Sequence, residues 1–478
     1  MKLSALFLNL ILSSLCINSI VAQETTKHRV IILTDIEADP DDTQSMVRLL
    51  LYANQIDIKG IIATTSVWQK TKVHPESVIK IINAYGKVQA NLNKHETGFP
   101  EASSLLALVT HGLPKYGMLG VGKGQDSEGS NRIIKELEKN DPRPLYISVW
   151  GGVNTLSQAL YTLKDTKSKA ELKRLLDKLR VYTISDQDDS GIWIRNTFPE
   201  LFYIVSPGDD YGTSTWSAIN SEIKGLPNTE ISNSWLAEHI QQGHGPLGAV
   251  YPDVAWGMEG DTPSFLSLIP NGLNNPEHPN WGGWGGRYEL YKPDVSKLKK
   301  GPSDVPLAPE TRAIWTDASD DYIPFGFSEF GRVVKKDSTK TYHDNKATLW
   351  RWRTDFQNDF AARMDWCLAD YAHANHAPVP VLSSPENITV KSGESFSFDA
   401  SNSYDPDGDS FGFVWYHYPQ AGTYKKEVVI TPENFPGFTA TAPIVDKQET
   451  LHIILKMTDK GTPNLTRYKR MIVTVVPK

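Results

Sequence analysis

Between Arg29 and Leu51 a strand-like run, an acidic turn and a helix-like run follow one another without a break (RVIILTDIEADPDDTQSMVRLLL), and that order limits the folds open to the chain. Residues 29–34 are mostly aliphatic and β-branched and end on a polar residue, as a strand buried on both faces of a parallel sheet does. Met46, Val47, Leu49, Leu50 and Leu51 predict a helix over 43–52, beginning just after Asp41 and Asp42. In an open α/β sheet, the carboxyl end of a strand just before its helix is where ligands bind. Five acids crowd that point: Asp35, Glu37, Asp39, Asp41 and Asp42. They repel one another unless a hard cation neutralises them, and all-oxygen ligands suit Ca²⁺ or Mg²⁺. The plainer alternative is a solvated acidic turn in which Asp41 or Asp42 caps the helix.

The spacing Asp35-x-Glu37-x-x-x-Asp41-Asp42 resembles the amino-terminal signature of nucleoside hydrolases, in which a strand ends in D-x-D-x-G-x-D-D. Glu37 stands where that signature has its second Asp, and Asp39 where it has Gly. A haloacid-dehalogenase phosphatase would need D-x-D at the strand end, which Asp35-Ile36-Glu37 does not supply. An EF-hand loop would need flanking helices and a central Gly.

At 478 residues the chain has room for two or three domains. Its net charge is −7 with acids and bases well mixed, so no basic footprint points to nucleic acid. Residues 1–23 read as a signal peptide, with Lys2, an apolar run to Val21 and a small residue, Ala22, before the polar Glu24. Export to the periplasm, the medium or the cell surface is therefore expected. Removal of that segment leaves Cys367 as the only one of two cysteines, so no internal disulfide is expected, nor any later transmembrane segment.

Further along, 56–63 reads as a second strand ending in Thr64-Thr65-Ser66, and 75–85 as a helix with Val78, Ile79, Ile81 and Ile82 on its apolar side. The glycine-rich stretch 117–130 lacks the Gly-Lys-Ser/Thr ending of a phosphate cradle and reads as a flexible loop opening a helix at 131–138. Residues 144–150 form a strand, followed by Gly151-Gly152-Val153-Asn154-Thr155 and a helix over 156–163. A further strand at 179–184 runs into Ser185-Asp186-Gln187-Asp188-Asp189-Ser190-Gly191, a polar cluster that fits a pocket rim. The segment 258–288 contains Glu259-Gly260-Asp261-Thr262-Pro263 and then His278, Trp281, Trp284 and Arg287 among glycines. That tail reads either as an exposed sugar-stacking loop or as tryptophan packed under a glycine-rich lid. Residues 347–371 read as a core helix closing the first domain, with Trp352, Phe356, Phe360, Met364 and Cys367 on one side and Asp355 and Asp359 solvated or salt-bridged. After Ala377-Pro378-Val379-Pro380 the texture changes to short strands at 387–390, 395–399, 412–416, 427–431, 451–457 and 468–476, a β-sandwich pattern. Asp405, Asp407 and Asp409 within it, in a motif resembling those of PKD-like and cadherin-like modules, either bind a structural Ca²⁺ or form an Asp-Gly turn.

Taken together, TDIEADPDDTQSMVRLLLY, SVWGGVNTLSQAL, EGDTPSFLSLIPNGLNNPEHP and WGGWGGRY resemble a nucleoside hydrolase-like family of exported bacterial proteins described as cellulose-binding. The resemblance implies an α/β domain over 24–376, a mostly parallel sheet flanked by helices, and an immunoglobulin-like β-sandwich over 377–478. It also implies a Ca²⁺ site with Glu37, Asp42, Asp261 and the carbonyl of Trp150 as ligands. Glu37 would be the general base, Asp41 would accept a sugar hydroxyl, and Asp35 would orient the set. Asn196 lies where the relatives carry a sugar-binding Asn; His278, Trp281 and Trp284 are the aromatic candidates for substrate contact. Gly260 stands where many relatives have a His that recognises the leaving group. The functions implied are a Ca²⁺-dependent hydrolase of glycosyl bonds, acting on a nucleoside or a glycan, or a carbohydrate-binding protein on a hydrolase scaffold. A structural surface protein using calcium for rigidity is a third.

Overall fold

The computed structural model describes residues 27–208, 215–226, 228–298, 300–301, 303–327, 333–336 and 341–478. Residues 1–23, the expected signal segment, lie outside them. The architecture follows from strand β1, Arg29–Thr34, all six residues of which are buried. It pairs in parallel with β2 (Asp57–Ala63) on one side and β4 (Leu145–Val149) on the other. With β3 (Val109–His111), β5 (Leu179–Ser185), β6 (Phe202–Ser206), β7 (Tyr288–Tyr291) and β8 (Ile314–Asp317) it makes an eight-stranded sheet of order β3-β2-β1-β4-β5-β6-β8-β7. Every pairing in it is parallel except β7 with β8.

Because both faces of the sheet are covered, two cores form. One lies under helices α1 (Asp41–Leu51), α2 (Pro75–Gly86) and Arg353–Asp365, the other under Glu128–Glu138 and Asn154–Thr166. Helix α1 begins two residues earlier than expected. Pro40 takes the cap position and Asp41 and Asp42 form the first turn, so neither acid is the cap. Ile79 of α2 is exposed rather than packed. The expected helix over 347–371 is two, Ala347–Trp350 and Arg353–Asp365, with buried Trp352 at the break in edge-on contact with Tyr418 and Tyr468. Among the described residues no helix is long and apolar enough to cross a membrane.

The carboxyl-terminal strands form a four-stranded sheet, in the order Asn387–Lys391, Thr466–Val476, Glu449–Asp459 and Phe411–His417, and a pair, Ser395–Asp399 with Gly437–Thr441. The expected strand at 427–431 is absent. Val428 and Ile430 are buried, but the segment makes a single bridge, Thr431 to Thr439, and the strand is Gly437–Thr441.

This sandwich docks on the helix Arg353–Asp365 through salt bridges. Asp355 accepts Lys456 at 2.7 Å, and Asp359 accepts Arg467 at 2.6 Å and the hydroxyl of Tyr52 at 2.6 Å. On the same strand as Lys456, the buried His452 accepts from Arg470 at 3.0 Å. Burial, reinforced by the Arg470 charge, pushes the His452 pKa down to about 2. Below its ordinary value of 6.5 the unfolded chain takes a proton that the folded ring refuses, so this group's contribution to stability falls as the pH drops through 6.5. His452→Gln should flatten the decline in Tm between about pH 7 and about pH 5, measured by scanning calorimetry.

Candidate functional site

At the carboxyl end of β1 the backbone turns sharply, with the Ala38 N–H donating to the Asp35 carbonyl at 2.9 Å and Glu37 held at a φ of +80°. The turn sends alternate acids in opposite directions. Asp35 is buried, and a Cβ at Gly151 would lie 2.4 Å from its Oδ1, so the residue after Trp150 has to be glycine. Glu37 is exposed and accepts the hydroxyl of Ser77, on α2, at 2.5 Å. Asp39 returns toward the helix, accepting the Asp41 N–H at 2.9 Å. Asp41 and Asp42, in the first turn of α1, enjoy the positive end of the helix dipole. Asp42 accepts the hydroxyl of Thr34, and Asp41 accepts the indole N–H of Trp216 at 2.7 Å.

The third wall comes from 258–266. Glu259, at a φ of +52°, is fully buried and paired with the equally buried Arg48 of α1 at 2.5 and 3.0 Å. Tyr251 and Thr262 also donate to Glu259, each at 2.8 Å. That anchor brings Asp261 against the start of α1, where single carboxylate oxygens of Asp41, Asp42 and Asp261 lie within 4.8 Å of one another. At Gly260 a Cβ would fall 1.8 Å from the indole nitrogen of Trp216. The indole therefore fills the space that a side chain at position 260 would need.

These groups line a cavity of about 490 Å³ bounded by Asp35, Ala38, Asp39, Asp41, Asp42, Trp68, Trp150, Gln187, Trp216, Trp256 and Asp261. Burial raises the Asp35 pKa to about 6, against the opposing hydrogen bond from Ser66. Burial, and then the neighbouring carboxylates, hold Asp41, Asp42 and Asp261 well above the usual range. Two buried acceptors of the lining, Asp261 Oδ2 and Gln187 Oε1, have no hydrogen-bond partner. An all-oxygen donor set, mutual repulsion and unsatisfied acceptors fit a hard dication such as Ca²⁺. Asp41, Asp42 and Asp261 would hold it, with the buried Trp150 carbonyl, which accepts the Gln187 amide, beside them.

The structure thus gathers Asp35, Asp41, Asp42, Trp150 and Asp261 and leaves out the other expected site residues. Glu37 points to Ser77, because the positive-φ turn faces it outward. Asn196 is exposed on the helix Ser190–Thr197, next to Thr311. His278 and Trp281 stack on each other at 4.1 Å, and Trp281 abuts His452 of the sandwich. Trp284 is fully buried against Phe356 and Tyr468, so it is a core residue. Sequence reasoning missed Trp68, Trp216 and Trp256, three isolated tryptophans far apart in the chain, and gave Asp39 no role. Gln187 carried a signal, as a member of the polar cluster after β5; the acids around it are spent on Arg195, Ser190 and Met118. The glycine-rich stretch 117–130 lies outside the lining and gives backbone N–H groups to Asp189 and Gln158. Asp405, Asp407 and Asp409 also come together, and Asp405 accepts the N–H groups of Asp407 and Asp409 as an Asp-Gly turn requires.

The nucleoside hydrolase-like domain of cellulose-binding Sde182 matches residues 29–288, and the C-terminal domain of cellulose-binding protein Sde0182 matches 395–475. The chain belongs to this family. A nucleoside hydrolase-related hypothetical protein from Saccharophagus degradans, associated with carbohydrate metabolism, is 36% identical, with a TM-score of 0.78 over 95% of this chain and 100% of that one. The effector protein XOO4466 (8% identity, TM-score 0.33) and the type III effector XopQ complexed with adenosine diphosphate ribose (11%, 0.24) each align with 61% of this chain and 88% of their own, too loosely to bear on it. No curated protein matches the sequence. In this family member a buried ion pair, with hydrogen bonds from Glu259 N–H to Gln44 and from Thr262 to Ser45, ties the loop carrying Asp261 to α1. Glu259→Ala should cost ~3–5 kcal/mol by leaving the Arg48 charge buried without its counter-ion. Urea unfolding of the purified variant measures that loss.

Proposed function

We propose that this family member is an exported, cation-dependent hydrolase of glycosyl bonds whose substrate is a carbohydrate. The observation that carries the reading is the convergence of Asp41, Asp42 and Asp261, with an unsatisfied Asp261 oxygen, in a cavity walled by four tryptophans. A binding surface alone would not need so costly a cluster of buried acids. Support for export is the apolar segment at 1–23.

Asp41, Asp42 and Asp261 would hold Ca²⁺, which when bound would supply a site for sugar hydroxyls and a Lewis acid. Asp41, oriented by Trp216, would help hold the cation and accept a sugar hydroxyl. Asp35 and the Thr34 hydroxyl hold Asp42 in register. The water attacking the anomeric carbon needs a base. Asp39, half-buried in the lining, takes that role here, since Glu37 is turned to Ser77. Trp216 fills the space beside Gly260, where many relatives have a His that recognises a nucleobase, and this weighs against a nucleoside. The departing sugar oxygen would take its proton from Asp35, whose pKa burial raises to about 6.

A non-catalytic carbohydrate-binding protein is the second reading, favoured by the same outward turn of Glu37. Calcium content and release of reducing sugar from nucleosides and from plant and algal glycans separate the two. Asp42→Ala should lose the metal and the activity together. Asp39→Asn should lower kcat by about 10²–10⁴-fold with binding retained, and Glu37→Gln should change it little. Absence of turnover on every substrate, with polysaccharide binding that survives loss of Asp41 and Asp42, would leave the binding protein.

A further inference from the structure

The tryptophans of the cavity are graded from floor to mouth. Trp150 is 1% exposed, Trp216 is half-buried beside Asp41, Trp68 is 49% exposed and Trp256 is 81% exposed. Trp256 shows more of itself to water than any other large apolar side chain among the described residues. The carboxylates lie at the opposite end: Asp35, Asp41, Asp42 and Asp261 are buried and Asp39 half-buried. The cavity therefore has an acidic floor and an indole mouth, supplied by separate segments, one after β2 and one before Glu259.

We propose that the cavity takes a glycan end-on, its terminal sugar on the carboxylates and the sugars behind it on Trp68 and Trp256. This rests on the reading above that the acidic floor binds a sugar. Sugars match both ends of the cavity. Their hydroxyls donate to carboxylates, and the C–H face of a pyranose ring is flat enough to lie on an indole while its hydroxyls stay in water. A nucleobase could stack on the same rings. Its polar edge, however, carries ring nitrogens and carbonyl oxygens that need donors, and apart from the acids the lining offers Gln187, Ala38 and indoles. At about 490 Å³ the cavity falls within the size range that encloses a drug-sized ligand. Because the acids form the floor, the sugar that reaches them is a chain end, and specificity for chain length resides at the mouth.

The test is calorimetric titration of the full mature chain, in calcium, with monosaccharides and oligomers of increasing length from the β-1,4-linked glucose, xylose and mannose series, and with inosine and uridine. Affinity should rise with length in at least one series. Trp256→Ala and Trp68→Ala should each weaken the longest oligomer roughly three- to tenfold and leave the monosaccharide unchanged. The exposure of Trp256 makes its removal harmless to folding. Affinity independent of length in every series, equal weakening of short and long ligands, binding of nucleosides alone, or no binding would each overturn the proposal. Length-dependent binding without any sugar release would remove the hydrolase reading and keep these subsites. Turnover that is lost in Asp42→Ala but untouched by Trp256→Ala at every length would do the reverse.

Discussion

Arg48 and Glu259 are 211 residues apart in the chain, yet neither exposes any surface and their charged groups meet at 2.5 Å. Two ions removed from water this completely are tolerated only when every lone pair and proton is served. Here Tyr251, Thr262, the carbonyl of Phe356 and the Gln357 side chain complete the set, and the Phe360 ring lies 4.0 Å from the guanidinium. Helix α1 and the loop 258–262 are thereby locked together. Asp41 and Asp42 stand on one side of that lock and Asp261 on the other, so the pair, with the bonds from Glu259 N–H to Gln44 and from Thr262 to Ser45, brings the acidic floor together.

The floor itself is an unfavourable arrangement. Four buried carboxylates in one cavity repel each other and lack water, which is why burial and neighbouring charge push all four upward. A fold retains such a cluster at a cost in stability, which a bound cation would lower. The neighbours of the cluster are specialised in the same sense. Gly151 makes way for Asp35, and Gly260 makes way for the indole that orients Asp41.

The aromatic residues divide differently from their positions in the sequence. The glycine-rich loop with His278, Trp281 and Trp284 has the composition of a sugar platform, yet it is consumed by packing. Trp284 sits in the core and Trp281 lies between His278 and the sandwich. The sandwich, docked through Asp355 and Asp359, covers what would otherwise be an open surface. The indoles left for the cavity are Trp68, Trp150, Trp216 and Trp256, only one of which belongs to a recognisable motif.

From the amino-acid sequence alone came the parallel sheet, the change to a β-sandwich after 377 and the concentration of acids at the end of β1. Each is written in local periodicity, turn residues and spacing, which act over a few residues. Asp35, Asp41 and Asp42 were legible for the same reason, as parts of a short motif at the end of β1, and Asp261 through the resemblance of the segment Glu259-Gly260-Asp261-Thr262-Pro263 to a family motif. The direction each side chain takes was not. Glu37 and Asp39 are two residues apart and equally acidic, and a single residue at φ +80° sends one to Ser77 and the other to the cavity. Which tryptophans line the cavity and which face the sandwich was likewise settled by tertiary structure, because it depends on contacts between segments far apart in the chain that no local pattern records.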